Sequence, residues 1–216
     1  MNAYDLPPER LARWLERWSA LHGGVARTTY AADRVTLDAP DGAHVCCEPP
    51  FPPLAAAPGT RAGLDLEPLL AHVERERTVG VVLVRLGGFA VGIFAGRELR
   101  ASKVSRRLVH GRHRAGGSSA NRFARRRANQ ARVALDAAAE TAVALLAEPA
   151  RAGELDAVVR GGDRRALAEV FGDDRLAGVA ALAVERVIEV AEPRLKVLQG
   201  TPDRFLAARV VPSEPA

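Results

Sequence analysis

Residues 105–130 read SRRLVHGRHRAGGSSANRFARRRANQ. Gly116-Gly117 permits backbone conformations closed to other residues and lets the chain approach a ligand closely. Ser118 and Ser119 suit the N-cap of a helix expected to begin near Asn121. A flexible turn before a capped helix explains the glycines and serines but not the arginines. A helix N-terminus carries partial positive charge and favours acidic residues in its first turn. Here the first two turns instead hold Arg122, Arg125, Arg126 and Arg127. That arrangement becomes favourable when phosphates sit at the helix start, because free backbone N–H groups and guanidinium forks then all donate to them. The candidate RNA contacts are therefore Arg106, Arg107, Arg112, His113, Arg114, Arg122, Arg125, Arg126 and Arg127.

The charge balance singles out the same segment. The chain has 31 basic and 26 acidic residues, yet Leu99 to Leu135 contains no Asp or Glu and 11 basic residues. The remainder is net acidic. One concentrated cationic element on an otherwise mildly acidic protein is the footprint of a polyanion partner. Solvated charged faces normally mix both signs.

Other chemistries find less support. Cys46 and Cys47 are adjacent and form neither a CxxC pair nor part of a Cys/His cluster. They are expected to be small buried hydrophobes in a reducing compartment, with no metal site and no cofactor. No Ser/His/Asp arrangement is readable, although His110 and His113 share the basic loop. The opening MNAYDLPPER does not resemble a signal peptide, and no apolar run reaches the length of a membrane span. A cytoplasmic monomer is expected.

The elements that must position the loop follow from periodicity. Leu11, Trp14, Leu15, Trp18 and Leu21 recur at helical spacing over residues 7–22, giving an N-terminal amphipathic helix closed by Gly23-Gly24. Short strands are expected around Arg34–Leu37 and Ala43–Glu48, and the Pro-, Ala- and Gly-rich stretch 49–64 reads as a loop. A helix over Leu66–Arg77 precedes strands at Val79–Arg85, Phe89–Ala95 and Glu98–Val104, the last two joined by a hairpin at Gly96-Arg97. The basic loop (105–120) leads into the longest helix (121–147). Further on, the sequence predicts a strand at Ala157–Arg160, helices at Arg164–Phe171 and Leu176–Leu182, a strand at Val187–Val190 and a last helix within Pro202–Val210. Alternating strands and helices imply an α/β fold, a mixed sheet with helices on its faces. The expected organisation is a helical extension over 1–24, one domain over 25–211, and a tail over 212–216.

A strand, a basic loop tipped by Gly-Gly and a long Arg-rich helix resemble the catalytic middle domain of eukaryotic and archaeal class-I peptide release factors. The segment RAGGSSANRFARRRANQ more closely resembles the Vms-like, release-factor-like peptidyl-tRNA hydrolases, especially their actinobacterial branch. The order of elements over about residues 30 to 211 agrees. The resemblance implies a ribonuclease-H-like architecture. It also implies hydrolysis of the ester between nascent peptide and tRNA at the peptidyl-transferase centre of the large ribosomal subunit, in rescue or quality control of stalled ribosomes. It assigns catalysis to Gly116, Gly117, Ser118 and Ser119. The family's tip carries Gly-Gly-Gln or Gly-x-x-Gln. Here Ser118 replaces glutamine in the first register and Ser119 in the second, and Gln130 lies well along the helix. Serine keeps a backbone N–H able to stabilise an oxyanion and offers a hydroxyl that donates and accepts, with shorter reach.

Two other readings compete with the hydrolase. One is a non-catalytic ribosome- or tRNA-binding factor using the same loop. The other is a ribonuclease-H-like nuclease, which needs clustered carboxylates for two metal ions. The basic element supplies none. A DNA-reading helix lacks any helix-turn-helix pattern.

Overall fold

The computed structural model describes residues 3–85, 88–106 and 118–213, with the side chains of Arg106 and residues 118–128 outside that description. In chain order the elements are β1 (Tyr4–Leu6), α1 (Pro8–Leu21), β2 (Arg27–Tyr30), β3 (Val35–Asp38), β4 (His44–Glu48), β5 (Gly59–Ala62), α2 (Glu67–Glu74), β6 (Thr78–Arg85), β7 (Gly88–Ala95) and β8 (Glu98–Arg106). There follow α3 (Ser118–Ala142), a π-helical turn (Val143–Ala147), α4 (Glu148–Arg151), β9 (Ala157–Gly162), α5 (Arg164–Val170), a 3-10 turn (Asp174–Leu176), α6 (Ala177–Ala181), β10 (Ala183–Ile188), α7 (Leu195–Gln199), α8 (Pro202–Phe205) and β11 (Ala208–Ser213). They divide into two compact units, 1–76 with 202–216, and 77–201.

The first unit is a six-stranded sheet in the order β1-β11-β4-β3-β2-β5, with every pairing antiparallel. Alternate residues turn inward: Thr28 and Tyr30, Val35 and Leu37, Val45 and Cys47, Ala208 and Val210 are all buried. Against them lie Leu11, Leu15 and Trp18 of α1 and Leu69 and Val73 of α2. Helix α1 is a part of this core, not an extension beside it, because its apolar stripe has nowhere else to be buried. Gly23 and Gly24 adopt φ of +75° and +101°, and the Gly24 N–H returns to the Ser19 carbonyl, which ends the helix.

Here the structure differs from several sequence expectations. Residues 59–62, within the expected loop, form edge strand β5. Residues 212 and 213, in the expected tail, complete β11 opposite Val45 and His44. The helix expected within Pro202–Val210 is a single turn ahead of that strand.

The second unit is a five-stranded mixed sheet ordered β10-β9-β6-β7-β8. The β6-β7-β8 part is antiparallel, and β9 and β10 join parallel to β6. Three meandering strands followed by two parallel ones give the ribonuclease-H-like arrangement. Val79, Val81, Val82, Leu83 and Val84 of β6 are almost wholly buried, as a strand covered on both faces requires. Val82, Val84, Phe89 and Val91 meet α3 and α5 on one face. Leu198 of α7 lies over Gly92 on the other, where an added Cβ would come within 3.0 Å of it. Strand β10 begins four residues before the expected Val187, and the expected helix at Leu176–Leu182 is a 3-10 turn running into α6.

Candidate nucleic-acid interface

Strand β8 is the outer strand of the mixed sheet and ends at Arg106, opposite Gly88. Twelve residues later the chain is helical at Ser118. Of the sequence-predicted site, Arg107, Arg112, His113, Arg114, Gly116 and Gly117 lie outside the described residues. Arg106 closes β8. Ser118 and Ser119 open α3, and Arg122, Arg125, Arg126 and Arg127 follow within its first three turns. The helix thus starts three residues before the expected Asn121. Ser118 and Ser119 stand inside its first turn instead of capping it, and their N–H groups belong to the four that an α-helix leaves without an internal acceptor.

Burial along α3 is uneven. Ala138, Ala139 and Ala142, with Leu146 in the π-helical turn, are buried against Val82, Val84, Phe89 and Val91. Small side chains let the helix approach the sheet closely, and Gly80 leaves room for Leu146, whose Cδ2 would stand 3.2 Å from a Cβ there. From Asn129 to Ala137 no residue is buried, and Val133 is exposed. Leu135 and Ala137 also pack partly against this core, so among the described side chains the anchorage begins seventeen residues after Ser118, about 25 Å along the axis at 1.5 Å per residue. Among the described side chains, those that hold the helix to the sheet lie in its second half.

One surface contact reinforces the anchorage. The Arg175 guanidinium donates to both carboxylate oxygens of Glu140 on α3, at 2.7 and 3.3 Å, and to Asp173 at 2.7 and 3.0 Å. Hydrogen bonds from the Arg175 side chain, then from its backbone N–H, hold the Asp173 carboxyl down at about 2. These groups border a cleft of about 390 Å³ between α3 and α5, also lined by Asp136 and Glu169. Among the described residues no three His, Cys, Asp or Glu side chains converge as metal ligands.

Sequence reasoning counted Lys103 in the acid-free stretch but did not name it as a contact. It pairs with Val91, so it projects from the face of the sheet that α3 covers, and it is exposed. Its neighbour Arg100 is the extra residue of a bulge between the Ile93 and Phe94 pairings and forms an ion pair with Glu98 at 2.9 Å. Strand alternation was the available signal for Lys103. The bulge, which resets that alternation, is not visible in the sequence.

The fold defines an α/β protein whose second unit is a ribonuclease-H-like mixed sheet, and a specific family matches the sequence. The sequence profile of the Actinobacteria/chloroflexi VLRF1 release factor family (acVLRF1) matches residues 77–211, more than half of the chain, and the protein belongs to this family. The match begins where the second unit begins, at Arg77. Among curated proteins, none gives a significant match. Two solved structures are similar over most of the chain. One, described as an archaeal protein, has 15% identity and a TM-score of 0.41, covering 90% of this chain and 69% of that one. The other, the crystal structure of the archaeal translation termination factor aRF1, has 15% identity and a TM-score of 0.43, covering 93% and 73%. At those scores the assignment rests on the profile. No described helix is long and apolar enough to cross a membrane.

Proposed function

We propose that the protein is a peptidyl-tRNA hydrolase of the release-factor kind, acting at the peptidyl-transferase centre of the large ribosomal subunit to free stalled nascent chains. The observation that carries this reading is the Gly116-Gly117 pair, set between basic runs and leading directly into the N-terminus of α3. Family membership supports it. Water attacks the ester carbonyl, the developing oxyanion accepts a backbone N–H, and the 3′ oxygen of the tRNA leaves as a hydroxyl. In this mechanism Gly116 and Gly117 allow the backbone to come close. Ser118 or Ser119 supplies the N–H and a hydroxyl that orients the water. Arg106, Arg107, Arg112, His113, Arg114, Arg122, Arg125, Arg126 and Arg127 hold RNA phosphates.

The test is single-turnover release of labelled peptide from purified stalled large-subunit–peptidyl-tRNA complexes. Wild type is expected to release peptide, and Gly116→Ala or Gly117→Ala to abolish release while the protein still binds. Release that survives alanine at both glycines overturns the tip mechanism. A second reading, a binding factor without catalysis, is favoured by serine standing where the family carries glutamine. It predicts no release from any stalled substrate, with tip substitutions altering affinity alone.

A further inference from the structure

Strands β6, β8, β9 and β10 all run in one direction, so their C-terminal ends, Arg85, Arg106, Gly162 and Ile188, share one edge of the mixed sheet. Register sets a single row across that edge. Arg106 faces Gly88, Gly88 faces Arg85, and the Asp163 N–H bonds to the carbonyl of Val84 beside Arg85. Three strand spacings of about 4.8 Å place the end of β8 about 14 Å from the start of α5.

Arg164 and Arg165 follow immediately, and both are exposed. Among the described residues neither has an ion-pair or hydrogen-bond partner. The nearest acid in sequence, Asp163, is engaged, since its carboxylate accepts the Ala166 N–H at 2.8 Å and caps α5. Arg85 is also exposed, and one of its nitrogens donates to the Val190 carbonyl at 2.8 Å. It has no carboxylate partner among the described residues. Gly162, at φ +104°, brings β9 so close that an added Cβ would lie 3.2 Å from the Arg85 side chain. Three exposed arginines without carboxylate partners among the described residues therefore follow the ends of the neighbouring strands β6 and β9, on the edge of the sheet where β8 also ends.

We propose that Arg85, Arg164 and Arg165 form a second phosphate-binding patch, which takes the backbone of the RNA whose end the Gly-Gly segment engages. This rests on the function proposed above and extends it. Exposed guanidinium groups that no carboxylate neutralises suit phosphodiesters, each of which accepts a bidentate fork. Continuity with the basic segment favours RNA over an acidic protein.

The experiment measures binding of a fluorescein-labelled single-stranded RNA by anisotropy over a salt series. Four proteins are compared: wild type, R164A/R165A, R125A/R126A/R127A, and R10A/R13A, which removes two exposed arginines from α1. Loss of two phosphate contacts is expected to lower the salt slope of R164A/R165A by about 1.4, at roughly 0.7 per phosphate on single strands. R164K/R165K is expected to restore most of that slope, and R10A/R13A to leave it unchanged. Thermal melts check that each variant folds. If R164A/R165A binds like wild type while R125A/R126A/R127A is weakened, the patch is overturned and the function proposed above stands. If neither variant is weakened, both fall. If polyglutamate displaces the RNA as effectively as unlabelled RNA does, and through the same two arginines, the partner is an acidic protein and the RNA assignment is overturned.

Discussion

In the proposed mechanism Ser119 offers two groups, a backbone N–H and a hydroxyl, that substitution can tell apart. As the second residue of α3 it can become proline without breaking the helix, because its N–H has no internal acceptor. Ser119→Pro deletes the N–H, whereas Ser119→Ala deletes only the hydroxyl. If the N–H stabilises the oxyanion, the proline variant loses about a hundredfold in single-turnover release rate, the scale of one lost oxyanion donor. The alanine variant then loses much less, and equal losses in the two would place the chemistry on the hydroxyl. The adjacent cysteines make a second contrast between neighbours. Cys47 is wholly buried in the first unit's core, and burial pushes its thiol up to about 12. Cys46 points to the opposite face, half-buried, with its thiol raised to a lesser extent, mainly by burial. Both are free. Mass spectrometry after brief exposure of the native protein to iodoacetamide should find Cys46 modified first and Cys47 only after denaturation. Early labelling of Cys47 would contradict this packing. The sequence led to two buried thiols, whereas only Cys47 is buried and Cys46 is half-buried, because neighbours on a strand face opposite sides of the sheet and only one side here meets the core.

Among the elements, those whose stability is mostly local were legible and those completed from a distance were not. The β-branched run Val79–Val84 announced β6, and the Ala-rich half of α3 announced its helix. By contrast β1 pairs only with β11, from the other end of the chain, and β5 is a four-residue edge strand within Pro/Gly-rich text. Nothing local marks them, since their hydrogen bonds are supplied by remote partners. Gly161-Gly162 belongs to the same class. At Gly162 a Cβ would lie 2.1 Å from the Val84 carbonyl oxygen, at a φ of +104° that L-residues rarely adopt. Gly162→Ala should destabilise the protein by about 3 kcal/mol, read by urea unfolding, because strain and a backbone clash coincide there. A change below about 0.5 kcal/mol, within the range of ordinary surface substitutions, would show that β6 and β9 are not so closely apposed. The Arg175 bridge gives α3 a pH signature. The Asp173 carboxyl is lowered in the folded protein, so its contribution is present above its ordinary value of 3.8 and is lost as pH falls towards about 2. Melting temperature should therefore drop between pH 4 and pH 2, and Asp173→Asn should flatten that part of the profile. A wild-type-like acid profile in the variant would remove Asp173 as its source.

Over the whole molecule, charge is segregated more sharply than the net value of +5 suggests. The acid-free segment 99–135 takes in β8 after Glu98 and the first two-thirds of α3, while Asp136 and Glu140 stand in the part of α3 that packs on the sheet. Placing repulsive arginines at a helix start is unfavourable in isolation and is offset by a second half that holds the helix through Ala138, Ala142 and Leu146. If phosphates are the reason for this design, affinity for RNA must fall steeply with salt, and the loss must be traceable to these residues. Replacing Arg125, Arg126 and Arg127 together by alanine should lower the slope of log affinity against log salt by about 2, from roughly 0.7 per phosphate on single strands. Helicity should be kept or slightly raised, because alanine is the best helix former and three like charges leave a positive helix end. Far-UV circular dichroism and thermal melting on the same samples separate the two effects. An unchanged slope with intact helicity would mean that the arginines serve something other than phosphate, and an equal fall in slope and melting temperature would mean that they serve the fold.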